Sequence, residues 1–571
     1  MVQLTPRQLL PWRLWKLSRR LERGCWLWCV FLVSLDEKRA DDGNGQLLPM
    51  AIGIFFTAMD QTIVVSSYAS IGNEMNQLQL TSWIATAYML TLTSFQPLYG
   101  KMSDIFGRKA CLLFAYTVFA LGTLGCGLSR TMPELILARA LTGIGGGGMS
   151  TVVSIIMSDI VPLRSRGTWQ GVLNVIYASG SATGAPLGGF LSDSIGWRWG
   201  FLVQVPAIAV AFVAVSFALH LPSTPGSTAS APMRTKLARV DFSGALSLVL
   251  TVFFLLFGLD RGGNLAWSNA LTITALSLSL AFFVAFSLVE LYYAAEPFAP
   301  RRIIANPSLI YAYLVNLFGL ASGFSMIFHL ALFYQAVLRK SPAEVGWWLV
   351  PSVFAGVIGS LGGGLWIQAT GKYKAVTVCA YIAMVVGTFW TTLSAGEGEK
   401  GGMRTAVMVA VGAFLVAVGN GTGITTSLIA LISNAGAADQ AIATAVSYLF
   451  RSLGSVVGLS VASTLLQVTL RRKLHETLGA DGDVDVDEIT RQVRASLAYI
   501  DTLSPHVAAL VREAYERAVL NAMWFSTAMS VCALGSAMGI REKKIGKGSV
   551  REQDREADGP GEQSGDGEQG S

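Results

Sequence analysis

Charge is scarce in this sequence. Only 14% of its 571 residues are Asp, Glu, Lys or Arg, against about 25% in soluble domains. So small a supply cannot cover a water-facing surface for a chain of this length, and lipid must be its main solvent. Histidine is rarer still, with four residues. Six cysteines (Cys25, Cys29, Cys111, Cys126, Cys379, Cys532) are scattered and match no zinc or redox spacing, so neither a metal cluster nor a disulfide scaffold is expected. There is no Ser/His/Asp constellation. The glycines Gly143 and Gly145 to Gly148 follow no strand, so they fail as a dinucleotide loop and read as a close helix contact. The expectation is no catalytic residue, no metal and no cofactor. A net charge of +6 is small for the length and argues against a nucleic-acid partner.

What is abundant is apolar sequence: 52% of the residues are hydrophobic and the mean hydropathy is +0.51. Runs long enough to cross a bilayer, about 20 residues each, recur from 47–71 to 519–539 with short polar breaks. About fourteen helices are expected, so the fold class is an all-α polytopic membrane protein. An even number places both termini on one side. The loops after even-numbered spans hold Lys101, Arg108, Lys109, Arg164, Arg166, Arg234, Lys236, Arg239, Arg301, Arg302, Lys372 and Lys374. They outnumber the basic residues of the opposite loops, which makes that side and both termini cytosolic.

The organisation expected is a cytosolic tail over 1–46, a six-helix half over 47–220, and a linker with two extra transmembrane helices over 221–307. A second six-helix half follows over 308–540, then a disordered cytosolic tail over 541–571. The apolar run 26–35 in the first tail is too short to span. Within the second half, 469–517 reads as a non-cytosolic polar loop. It carries an acidic run (Asp481, Asp483, Asp485, Asp487, Glu488) and helical periodicity over 489–500 and 507–515. The two halves echo one another: Gly100 to Gly107, followed by Arg108, recurs weakly as Gly364 to Gly371, followed by Lys372. Related halves around a midplane site are a common transporter plan.

The string Gly100-Lys101-Met102-Ser103-Asp104-Ile105-Phe106-Gly107-Arg108-Lys109 resembles the signature loop between the second and third helices of the major facilitator superfamily. The resemblance implies two six-helix halves and a cytosolic gate motif of Gly100, Asp104, Gly107 and Arg108, with Asp159 at the end of the fourth span as a partner for Arg108. The run Leu135 to Gly146 resembles the family's fourth-helix motif, whose arginine, here Arg139, is linked to proton coupling. An arginine inside a span is costly without a partner or a wet cavity.

In the fifth span, Gly180 to Gly189 resembles the motif of the proton-driven antiporters, with Gly180, Gly184, Pro186, Gly188 and Gly189 in place and Ala185 departing from the commonest form. Met59-Asp60-Gln61-Thr62 resembles the first-helix motif of the fourteen-span drug:proton antiporter branch, and Asp60 is the carboxylate placed deepest. Beside Arg139 it is set for proton exchange. Phe450-Arg451-Ser452-Leu453-Gly454 resembles that branch's thirteenth helix. Stretches such as Ser82 to Tyr88 and Gly196-Trp197-Arg198-Trp199 are similar to fungal vacuolar basic amino acid transporters.

The function so implied is proton-coupled antiport of small organic solutes out of the cytosol. Basic amino acids entering the vacuole lead; plasma-membrane efflux of drugs, toxins or a secreted metabolite is the alternative, and a non-transporting receptor is remote. The expected partners are the lipid bilayer, protons and a small organic substrate, with the chain acting as a monomer. A site for basic side chains should offer carboxylates, yet Asp60 stands nearly alone at that depth. The candidate cavity is instead aromatic and neutral polar: Tyr88, Gln96, Asn174, Gln204, Asn316, His329 and Asn420, with Arg451 as a second cation. Aromatics can hold cations through their ring faces.

Overall fold

Helix is the only regular structure that satisfies its backbone within a single segment in hydrocarbon, and long helices account for nearly all of this chain. The computed structural model describes residues 47–75, 82–219, 241–264, 267–293, 303, 306–340, 342–436, 439–478, 486–495 and 497–543. The tail over 1–46, the stretch 220–240, the acidic run at 481–485 and the tail beyond 543 lie outside the described residues.

The first six helices are α1 (Leu47–Glu74), α2 (Ser82–Phe106), α3 (Arg108–Leu128), α4 (Met132–Ile160), α5 (Leu163–Ser194) and α6 (Arg198–Ala218), the last interrupted at Val203. Two more follow, α7 (Phe242–Asn264) and α8 (Ala270–Tyr292). The last six are α9 (Pro307–Ala336), α10 (Pro342–Thr370), α11 (Lys374–Ala395), α12 (Gly402–Ala435), α13 (Gln440–Leu478) and α14 (Pro505–Met538). Among the described residues, eleven helices are long and apolar enough to cross a membrane.

Sequence signals set several helix starts. Thr131 and Glu134 form a reciprocal capping box at α4, and Asn269 and Asn306 cap α8 and α9 through their side chains. Between α2 and α3 the chain turns within one residue, Gly107, at φ 95°. Its counterpart after α10, Gly371, sits at φ 70°. Both lie in the left-handed region that favours glycine, so the echo seen in the sequence is a repeated turn.

Helices α1 to α6 pack on one another, as do α9 to α14; α7 pairs with α8 and leans on α2 and α13. The two groups meet along α2–α13, α4–α13, α5–α10 and α5–α12. Large apolar side chains such as Leu137, Phe217, Trp347 and Phe354 point outward, the pattern of a bundle whose surroundings are lipid.

Over 469–517 the helical periodicity of the sequence appears as helix, and the flanking helices reach farther into the stretch than the expected spans. Helix α13 continues to Leu478 and α14 begins at Pro505, 14 residues before the expected span at 519. Leu466, Leu470, Leu474 and Leu478 recur every four residues, so one apolar stripe runs on through a polar stretch. A short helix, Val486–Ala495, places Ile489 and Val493 against this stripe, together with Val511 and Tyr515 of α14. The Tyr515 hydroxyl closes the contact by donating to the Val493 carbonyl at 3.0 Å.

Candidate functional site

Close approach of α1, α2, α4 and α5 builds the first polar centre. Gly143 lies against the Tyr88 backbone, Gly146 against the Tyr88 ring and Gly147 against Leu92, so the glycine run of α4 is the seat of α2. On the other side of α1, Gly180 and Gly184 of α5 meet the backbone at Phe55 and Met59. The glycines of the fifth-helix motif therefore pack on the turn that carries Asp60. Pro186, farther along α5, is exposed.

Asp60 and Arg139 meet inside this packing. Arg139 Nη1 donates to Asp60 Oδ2 at 2.5 Å, and the two side chains are 1% and 0% exposed respectively. Arg139 Nε donates to the Ile84 carbonyl at 3.2 Å, and its guanidinium lies 4.5 Å from the Tyr88 ring centre and 5.8 Å from that of Phe201. Asp60 Oδ1 has no hydrogen-bond partner. Gln204, one turn beyond Phe201, is fully buried and spends its amide on its own helix at Gly200 O, 2.9 Å.

A second network joins the two groups of six at the end of the bundle that carries the α2–α3 turn. Arg108 pairs with Asp104 and, through Nε at 2.9 Å, with Asp159 at the end of α4. Gln440, the first residue of α13, donates to Asp159 Oδ1 at 3.0 Å and accepts from Arg166 Nη1 at 2.8 Å. Arg166 Nε also donates to the Val161 carbonyl at 2.8 Å. Arg164 donates to the carbonyls of Gln368 and Ala369 at the end of α10, the latter at 2.8 Å. Cations are disfavoured at a helix start and favoured at a helix end, which is how two arginines at the start of α5 find partners.

Gly100 seats on Ala441 and Ala445 of α13, and Gly364 seats on Gly167 of α5. The two echoing glycines thus make equivalent crossings. Contacts between the groups continue inward through Thr168–Gln368 (2.8 Å) and Asn174–Ser360 (2.7 Å). Gln96 accepts from Ser452 at 3.1 Å. Beyond Asn174, α5 exposes Tyr177, Ala182, Thr183 and Pro186.

A third centre lies within the last six helices. Arg451 Nε donates to Asn316 Oδ1 at 3.0 Å and Nη2 to the Ile424 carbonyl at 2.9 Å, while its guanidinium lies 5.0 Å from the Tyr448 ring centre. Asn420, on the same helix as Ile424, leaves Oδ1 without a partner. His329 stands apart from the other cavity candidates. It is fully buried, with Nδ1 2.7 Å from the Ser325 carbonyl, in the part of α9 that Ser325 ties to Ser526 of α14. At 1.5 Å per residue it is roughly 20 Å along α9 from Asn316. Gly188 is buried and Gly189 half-buried on α5.

Sequence reasoning missed Gln440, Gln368 and Tyr177. Tyr177 is 40% exposed yet donates to Gln61 Oε1 at 3.1 Å, beside Asp60. For Gln440 and Gln368 a signal existed: two arginines directly after Pro162 at a helix start require acceptors from elsewhere.

The chain belongs to the major facilitator superfamily, whose family model matches residues 50–459. It is 38% identical over 502 residues to the vacuolar membrane amino acid uptake transporter fnx2 of Schizosaccharomyces pombe, covering 88% of this chain and 85% of that one. It is 37% identical to the multidrug resistance protein fnx1 of the same yeast, covering 85% and 90%. Against vacuolar basic amino acid transporter 2 of Saccharomyces cerevisiae it is 33% identical, covering 80% and 97%. Among solved structures, the proton:xylose symporter XylE superposes with a TM-score of 0.58 at 12% identity, covering 90% of this chain and 99% of that one, a likeness of fold. The protein is an integral, multi-pass membrane protein of a transporter family.

Proposed function

We propose that this chain is a proton-coupled antiporter that moves small organic solutes out of the cytosol, with basic amino acids entering the vacuole as the leading substrate class. The observation that carries the proton half of this reading is the buried pair Asp60–Arg139. An ionised pair at such depth costs several kcal/mol of desolvation per ion, and groups of this kind inside membrane proteins mark ion pathways. Protonation of Asp60 removes the charge that holds Arg139. The contact between α1 and α4 then loosens, and the tight α1–α5 seam at Gly180 and Gly184 passes the change to α5. Helix α5 carries Arg164, Thr168 and Asn174, which bridge to α10.

With the α2–α3 turn taken as cytosolic, the Arg108–Asp159–Gln440–Arg166 network closes the cytosolic side, and this conformation faces the lumen. Asp60 is enclosed here, so proton exchange belongs to another arrangement of α1, α2 and α4. One charge moved across 100 mV supplies about 2.3 kcal/mol, and each pH unit about 1.4 kcal/mol. Fourteen spans, six plus two plus six, with cytosolic termini and a monomeric working unit complete the reading. The test is arginine, lysine and histidine uptake into proteoliposomes under an imposed pH gradient. Gradient-driven uptake by the wild type that survives unchanged in Asp60→Asn overturns the mechanism.

A second reading, drug efflux at the plasma membrane, is favoured by the 37% identity to a multidrug resistance protein. Locating the tagged chain, and assaying uptake of the three amino acids by isolated vacuolar vesicles, separates the two.

A further inference from the structure

We propose that Arg451 is the anchor for the carboxylate of the transported amino acid, with Asn316 holding it in place. This deepens the substrate reading above and rests on it.

Arg451 carries a charge that lacks a counter-charge among the described residues. Arg139 has Asp60, and Arg108 has Asp104 and Asp159. Arg451 is 9% exposed and makes no ion pair among the described residues. Its hydrogen-bond acceptors are neutral, Asn316 Oδ1 and the Ile424 carbonyl. A guanidinium carries five N–H donors in a planar fork that suits a carboxylate. A buried cation without an anion is strongly unfavourable, and a substrate anion supplies what the protein omits.

The side chain is held in position for this. Asn316 donates to Ala312 O at 2.9 Å and to Ser447 Oγ at 3.3 Å. Its Oδ1, which accepts from Arg451, also accepts from Ser427 at 3.1 Å. Residues of α9, α12 and α13 therefore fix one end of the fork.

The position is also central. The next residue, Ser452, bonds Gln96 of α2 across the seam at 3.1 Å. One turn before it, Tyr448 presents its ring to the guanidinium. Tyr177 of α5 contributes an exposed ring from the other half and donates to Gln61, the neighbour of Asp60. Nearby polar groups have capacity to spare: the Tyr381 hydroxyl and Asn420 Oδ1 are buried without partners.

This arrangement also orients the substrate. Arg451 repels a cationic side chain, so a basic amino acid binds with its carboxylate at Arg451 and its cation directed away, toward Tyr177 and Gln61. Ring faces hold cations there without a second carboxylate. The shortage of acidic side chains at membrane depth is then a property of the site.

The test uses the full chain in proteoliposomes and compares each amino acid with its decarboxylated amine as a competitor of labelled arginine uptake: arginine against agmatine, lysine against cadaverine, histidine against histamine. The expected result is that each amine competes at least tenfold more weakly in the wild type. In Arg451→Gln that preference collapses, and Arg451→Lys restores part of it; gel filtration confirms that both variants are folded. Equal competition by acid and amine in the wild type overturns this inference and leaves amino acid transport standing. So does a preference that persists in a folded Arg451→Gln protein. Absence of uptake for all three amino acids overturns the substrate class and this inference together.

Discussion

Arg139 of α4 reaches Asp60 of α1 at 2.5 Å with both side chains enclosed, while Asp60 Oδ1 is left without a partner. Breaking a buried pair from one side leaves an uncompensated charge and costs about 3–5 kcal/mol, more than replacing both members by neutral groups. Arg139→Gln should therefore lower thermal stability in detergent more than the double change Asp60→Asn, Arg139→Gln. Unfolding curves for the two singles and the double give the coupling directly. Additive losses would show that the pair contributes nothing beyond its separate contacts.

This pair was legible in the sequence because charged residues inside apolar runs are conspicuous, and only a few candidates exist to be matched. The repeated glycine turn was legible for a similar reason: Gly107 and Gly371 recur at one offset from Gly100 and Gly364, and their positive φ angles explain the residue type. Tyr177 was not legible, and Gln440 was legible only as the need of Arg166 for an acceptor. A tyrosine in a span carries no spacing signal, and which glutamine answers the arginine is set by contacts 274 and 281 residues apart in the chain. His329 was singled out for a different reason. A titratable ring in a span draws notice on chemistry alone, and only packing reveals that it faces Ser325 of its own helix.

The closed end of the bundle depends on a crossing with no room for a side chain. A Cβ on Gly364 would stand 2.6 Å from the Thr168 amide nitrogen, closer than atoms tolerate. Gly364→Ala should therefore wedge α5 from α10 and favour the arrangement open at that end. In a chain cleared of its six cysteines, a cysteine introduced at Thr168 should be alkylated faster in the Gly364→Ala background. Unchanged labelling would mean that the helices shift to absorb the methyl group.

Gln440, from the second group of six, ties α13 to two charged residues of the first group, since it holds Asp159 and Arg166 at once. Gln440→Ala removes both bonds while leaving Arg108–Asp159 in place. Hydrogen bonds to charged groups contribute about 1.5–3 kcal/mol each, so the closed arrangement should lose a few kcal/mol. The expected outcome is impaired coupled uptake with little change in thermal stability, checked by uptake and unfolding measurements on one preparation. Gln440→Glu should restore the bond to Arg166 but repel Asp159, so it should recover function only in part.

The short helix over Val486–Ala495 caps the extension of α13 and α14, and that extension should behave as part of the fold. Val493 is 1% exposed and packs with Leu470, Leu474, Val511 and Tyr515 in one cluster. Placing a carboxylate there buries a charge without a partner. Val493→Asp should therefore destabilise the extension by several kcal/mol, whereas Val493→Ala should cost about 1–3 kcal/mol by loss of packing. Limited proteolysis distinguishes this from a solvated loop: cleavage between α13 and α14 should accelerate in the aspartate variant and much less in the alanine variant. If both are cut as slowly as the wild type, the capping role is wrong. If the wild type is already cut as fast as the aspartate variant, the cap does not protect the connection. Transport should survive Val493→Ala, because the contacts at Asp60, Arg139 and Arg451 come from other parts of the helices and share no residue with this cluster.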